Sequence, residues 1–155
     1  MAVDPSDTVS VHTARARGIA AVHARLAAER VPTAFAAFLD QVYAAARDGA
    51  VAVDGQNIFL YRDGADGEVE VEFGVGVAAP FRTAGPVRYV ELPTGPVATA
   101  THGGDYGRLG ETHAAVITWC RAHGHTLAGP RWEVYGHWNP GEAQPRTDVF
   151  YLLAA

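Results

Sequence analysis

Thr101–Tyr135 reads THGGDYGRLGETHAAVITWCRAHGHTLAGPRWEVY. Gly103 and Gly104 interrupt the strand-like run Pro96 to His102, and Asp105 is a residue type whose side chain caps a helix start. Leu109, His113, Val116, Ile117 and Cys120 then recur at the spacing of one helical face. Gly124 suits a helix end, where a residue without Cβ accepts a positive φ. From Arg131 to Trp138 the run RWEVYGHW alternates as a strand does. Trp132, Val134, Gly136 and Trp138 share one side; Glu133, Tyr135 and His137 share the other. A loop holding Pro140, Gly141 and Pro145 follows, and Asp148 to Leu153 reads as a closing strand. The order is strand, helix, strand, strand.

The same order is legible upstream. Val9 to about Leu26 reads as an extended segment, or two short strands, with a break near Gly18. Pro32 sits where a helix can begin, since its missing N–H is not needed in the first turn. Phe35, Phe38, Leu39, Val42 and Ala46 follow at helical spacing, and Gly49 is placed to end that helix, predicted over 32–48. NIFLYR at 57–62 and EVEVEFGVGV at 68–77 flank the turn DGADG, a hairpin signal. In the second run Val69, Val71, Phe73, Val75 and Val77 face one way and Glu68, Glu70 and Glu72 the other, which predicts a half-exposed antiparallel strand.

The two halves superpose in spacing. GQNIFLY at 55–61 lies over GPRWEVY at 129–135, pairing Phe59 with Glu133 and Tyr61 with Tyr135. The expected fold class is α+β: duplicated β-α-β-β units forming one mostly antiparallel sheet, with two helices on one face and a central cleft. Residues 1–8 are read as a flexible N-terminus. Residues 9–155 are read as a single domain, with repeat one at about 9–78 and repeat two at about 87–153.

Composition narrows the function. The chain has 155 residues, 48% hydrophobic and 19% charged, which is the balance of a globular protein. Its formal net charge is -5, which argues against a general nucleic-acid binder, since such a protein needs a basic face to displace counterions. One cysteine, Cys120, excludes an internal disulfide. The first ten residues lack the basic and apolar regions of a signal peptide, and no apolar run is long enough to span a membrane, so the expected compartment is the cytoplasm. Arginine-rich, alanine-rich composition suggests a bacterial source. Fewer than ten residues precede the first strand, so no DNA-binding arm is expected in this chain.

A carboxylate on a sheet face beneath a helix is costly unless paired or used. Glu133 is therefore the leading candidate, with Tyr135 and His137 on its face. Tyr106 and Trp119 lie on or near the second helix, and Phe59 and Tyr61 occupy the matching positions of the other half. Aromatic rings around one acid suit a flat organic cation: the rings supply apolar contact and a negative quadrupole face, the acid a full charge. Cys120, His123 and His125 have the spacing C-x-x-H-x-H, but the two histidines straddle the Gly124 turn with no fourth ligand evident. No metal or cofactor is expected. His12, His23 and His113 read as isolated surface or half-buried residues. No phosphate-binding glycine loop and no Gly-x-Ser-x-Gly elbow is present.

The stretch quoted first resembles the GyrI-like family, the effector-binding, SOUL-type domain of drug-sensing activators. His102, Gly104, Tyr106, Leu109, Trp119, Gly124, Gly129, Pro130, Glu133 and Tyr135 follow that family's order and spacing; Asp105 departs from it where the family favours proline. The resemblance implies a duplicated β-α-β-β fold with a central cleft, occurring behind helix-turn-helix regulators or alone; a stand-alone member is the expectation for this chain. It implies that Glu133 meets cationic lipophilic ligands, with Tyr135, Tyr106 and Trp119 around it. The expected function is binding or sequestration of aromatic, lipophilic, cationic small molecules. Two alternatives stand beside it. Some members are hydrolases opening cyclopropane-bearing electrophiles, for which Glu133, Tyr135 and Tyr106 would be the catalytic set. A protein-interaction role on a DNA-handling enzyme is the other.

Overall fold

The computed structural model describes residues 9–104, 106–136 and 146–155. The fold is α+β, with two helices and strand pairs that are antiparallel throughout. The chain divides into two compact units, Ala16–Leu92 and the segments ending at Arg15 and beginning at Pro93.

The first unit holds β2 (Gly18–Ala27), α1 (Val31–Arg47), β3 (Val53–Asp63), β4 (Glu68–Val77) and β5 (Arg88–Glu91), with β1 (Ser10–Ala14) preceding it in the chain. Its strands pair in the order β3–β4–β2–β5. The second unit holds β6 (Gly95–Gly103), α2 (Leu109–Ala122), β7 (Leu127–Tyr135) and β8 (Arg146–Leu153), paired β7–β8–β6–β1. Each unit is thus the expected β-α-β-β hairpin arrangement plus one edge strand. The edge strands are exchanged: β1 opens the first repeat but pairs with β6, and β5 opens the second repeat but pairs with β2.

The local chemistry of the two repeats also agrees. Gly55 and Gly129 have φ of 84° and 117°, and each lies where the register slips, between Val53 and Asn57 and between Leu127 and Arg131. The extra residue of such a bulge needs a conformation that glycine adopts without strain. The helices end alike. Gly49 (φ 82°) and Gly124 (φ 75°) let the amides of Ala50 and His125 reach back to the carbonyls of Ala45 and Cys120 at 3.0 and 2.9 Å.

In the first unit α1 packs on β2 and β4. Phe38 stacks on Phe73 at 4.9 Å between ring centroids, and Phe73 meets Phe59 edge-on at 5.1 Å. Phe73, Ile58 and Leu60 are fully buried, each contributing roughly 1.5–3 kcal/mol of hydrophobic stabilisation. β4 departs from the half-exposed strand expected from its alternation: Glu72, on the glutamate face, is only 5% exposed. Its Oε1 accepts from Arg88 at 2.6 Å and contacts His23 Nδ1 at 2.9 Å, and His23 also lies 3.5 Å from Glu70. His23 is therefore a bridge between strands, not an isolated residue. Among the described residues, no helix is long and apolar enough to cross a membrane.

Candidate functional site

The site is built on the α2 face of the second unit. Strand register fixes its rows, because residues directly opposite on paired strands share a face. One row runs Ala100, Val149, Glu133; the next His102, Thr147, Tyr135; the one beyond Ala98, Tyr151, Arg131. α2 lies over β6 and β8, with Leu109, Thr112, Val116 and Cys120 buried along its inner stripe.

Glu133 is 5% exposed, so its carboxylate is out of bulk water. Tyr135 donates its hydroxyl hydrogen to Oε1 at 2.7 Å. His113, one turn along the inner side of α2 from Leu109, brings Nε2 to 2.7 Å from Oε2. The other ring nitrogen of His113 lies 2.7 Å from the Tyr151 hydroxyl, and those two rings meet edge-on at 5.5 Å. Tyr151 is 6% exposed. The result is a continuous chain of polar contacts, Tyr151–His113–Glu133–Tyr135. Tyr106, 53% exposed, sets its ring edge-on to Tyr135 at 5.6 Å, so an aromatic surface leads from solvent to the phenol that touches the carboxylate. Beside this chain, His102 Nδ1 and the buried Thr112 hydroxyl are 2.9 Å apart.

The expected site residues fall into three groups. Glu133, Tyr135 and Tyr106 come together as described. Trp119 stacks against His123 at 4.1 Å and lies nearly parallel to His125 at 5.5 Å, at the C-terminal end of α2. Phe59 sits in the aromatic cluster of the first unit, 5.8 Å from Phe35, and Tyr61 is half-buried on β3. His137 and Asp105, the latter expected to cap the helix start, lie outside the described residues, as does the loop with Pro140, Gly141 and Pro145; α2 itself starts at Leu109 behind Arg108, with no side-chain cap.

His113 and Tyr151 are the members that sequence reasoning missed. His113 was expected to be isolated, yet it lies on the apolar stripe of its helix, which is the signal that it points inward. Burial pushes the Cys120 thiol above its ordinary range. Among the described residues no group of three or more His, Cys, Asp or Glu is placed to hold a metal ion.

The first unit holds the same positions with different chemistry. Phe59 stands where Glu133 does, Phe73 where Val149 does and Val75 where Tyr151 does, by strand register. Leu39, at the same sequence offset as Phe59, answers to His113. Only Tyr61 and Tyr135 are alike.

Comparison with known proteins completes the picture. The model of the family described as "GyrI-like small molecule binding domain" matches residues 7–152. The fold is similar to the EcmrR C-terminal domain, with a TM-score of 0.72 at 16% identity, covering 94% of this chain and 96% of that one. It is similar to SAV2435 bound to tetraphenylphosphonium, with a TM-score of 0.66 at 10% identity and coverage of 94% and 93%. A hydrolase from Listeria innocua has a TM-score of 0.59 at 12% identity and coverage of 97% and 93%. The chain also matches 56% of EcmrR as seen in a complex with DNA, so likeness of fold does not exclude nucleic acid. No curated protein sequence matches.

Proposed function

This chain belongs to the GyrI-like small-molecule-binding family, and from that premise we propose that it captures flat, lipophilic organic cations at the carboxylate of Glu133. The observation that carries the reading is a buried carboxylate held by an imidazole and a phenol, with a second phenol ring leading to it from solvent. Out of water, its charge acts through a lower effective dielectric and attracts a cation more strongly than a surface acid would. Tyr135 and Tyr106 offer the ring contacts, each worth about 0.5–2 kcal/mol to a cation over its face. The service performed is multidrug sequestration or sensing. A chain with one cysteine suits a reducing compartment, so we place it in the bacterial cytoplasm.

Titration calorimetry with tetraphenylphosphonium tests the reading. The expected result is micromolar binding that Glu133→Gln weakens about tenfold or more, a loss of at least ~1.4 kcal/mol. Glutamine keeps the volume and an acceptor for Tyr135, so equal affinity in the variant would remove the charge from the mechanism.

A second reading has one observation in its favour. A carboxylate engaged by an imidazole and a phenol is also an acid–base arrangement. Ring-opened product from a cyclopropane-bearing electrophile, lost in Glu133→Ala, would replace capture with turnover.

A further inference from the structure

We propose that the hydroxyl of Thr147 is a second acceptor of the Glu133 site, and that it directs the site toward cations carrying N–H groups, protonated amines, over fully substituted ones. The inference rests on the reading of Glu133 as the cation-binding group. Thr147, on β8, is 0% exposed, and its Oγ1 finds no hydrogen-bond partner among the described residues. A buried hydroxyl without a partner costs stability, and native chains keep few of them. Its place in the sheet supplies a use. Strand register sets Thr147 between His102 and Tyr135, on the face under α2, one row from Ala100, Val149 and Glu133. His102 turns to Thr112 of α2 and Tyr135 turns to Glu133, so both neighbours are engaged elsewhere. Thr147 and Glu133 are diagonal neighbours on paired strands, about 7–8 Å apart and within reach of a long side chain such as glutamate.

The first unit shows that the fold does not call for this hydroxyl. By register Val71 stands where Thr147 does, between Ala24 and Tyr61, and it is equally buried. Valine and threonine share one branched shape and differ by a methyl for a hydroxyl. The same register puts Phe59 where Glu133 stands, so hydroxyl and carboxylate occur together in the second unit and neither occurs in the first. Tyr135 links the two acceptors. Its hydroxyl occupies Oε1 of Glu133 at 2.7 Å, and its backbone is the register partner of Thr147. Glu133 is enclosed, and Tyr135 is the half-buried ring that Tyr106 meets from solvent. A guest that takes the carboxylate displaces this phenol. It then meets two oxygens, the one just released on Glu133 and Oγ1 of Thr147. A hydroxyl oxygen has two lone pairs, so an ammonium N–H can donate to each oxygen. A cation without N–H takes the charge alone and leaves the threonine unpaired. Sites that hydrogen-bond a guest reject analogues lacking the donor for this reason.

The test uses two probes with the same ring and the same charge, naphthylmethylammonium and its trimethylammonium counterpart. Each is titrated by calorimetry into the native protein, Thr147→Val and Glu133→Gln at neutral pH. Thr147→Val is expected to weaken the primary ammonium about tenfold and the trimethyl compound less than about twofold. An equal loss for both probes would make Thr147 a residue of shape alone, and no loss for either would make it a bystander; each result overturns the proposal. A second measurement needs no ligand. Thr147→Val is expected to keep or raise the denaturation midpoint, because the hydroxyl it removes has no partner to lose. A clearly lower midpoint would assign the hydroxyl a structural role and overturn the proposal as well. Glu133→Gln reads the carboxylate separately and is expected to weaken both probes about tenfold. Unchanged affinity in that variant would overturn the cation reading of Glu133, whichever way Thr147→Val behaves, and failure of both probes to bind the native protein would overturn both readings.

Discussion

A carboxylate taken out of water costs several kcal/mol unless its oxygens are engaged. Glu133 meets that cost with Tyr135 on one oxygen and His113 on the other. Glu72, also 5% exposed, meets it differently, with Arg88 and His23 on one oxygen. The contrast separates a structural acid from a candidate binding acid: the first is neutralised by a guanidinium, the second is held by an imidazole and a phenol. Arg88→Ala is therefore expected to destabilise the protein by about 1–3 kcal/mol in chemical denaturation, through a carboxylate left short of partners, while leaving tetraphenylphosphonium binding intact. Cys120 gives a second prediction at this scale. It is buried in the core under α2, and burial raises its thiol above the usual range. The reactive thiolate is disfavoured, so Cys120 is expected to resist a thiol-labelling disulfide at neutral pH and to react at once in denaturant. Rapid labelling of the native protein would show the core to be more open than its burial indicates.

At the scale of elements, the glycines carried most of the legible information. Gly49 and Gly124 end the two helices in the left-handed region, with open space where a Cβ would stand. Gly49→Ala and Gly124→Ala are each expected to cost about 1–2 kcal/mol from backbone strain alone, read as a lower denaturation midpoint with unchanged slope. Gly55 and Gly129 mark equivalent bulges, which is why the two aligned heptapeptides keep phase with one another. Alternation was less informative. It placed Glu68, Glu70 and Glu72 on one face but could not tell that Glu72 is enclosed, because period two reports which residues share a side and not what covers that side. The strand expected to run to Trp138 is described only to Tyr135. Helical period put His113 in line with Leu109, Val116 and Cys120, so its inward direction was available; its partner was not, since Glu133 and Tyr151 come from two strands far along the chain.

For the whole molecule, duplication explains the economy of the design. One repeat fills three positions of its helix–sheet layer with Leu39, Phe59 and Val75, and the other puts His113, Glu133 and Tyr151 there. A ligand that binds only the folded state stabilises it by mass action, about 2.7 kcal/mol at a hundredfold excess over Kd. For a chain of this length that is a rise of about 5–11 °C in the thermal midpoint. Tetraphenylphosphonium is expected to produce such a rise in the native protein and not in Glu133→Gln; an equal rise in both would place the ligand elsewhere. The net charge of -5 makes a further expectation: no retardation of a DNA duplex by this chain near physiological salt. The order strand, helix, strand, strand, its repetition, the helix ends and the singular acid on β7 were all determined by the sequence alone, because each rests on residues adjacent in the chain or on a fixed period. The exchange of edge strands, the enclosure of Glu72 and the meeting of Tyr151, His113 and Glu133 were decided only by tertiary structure. Those depend on which strands pair and in what register, a choice made by burial over the entire sheet face rather than by any local run of residues.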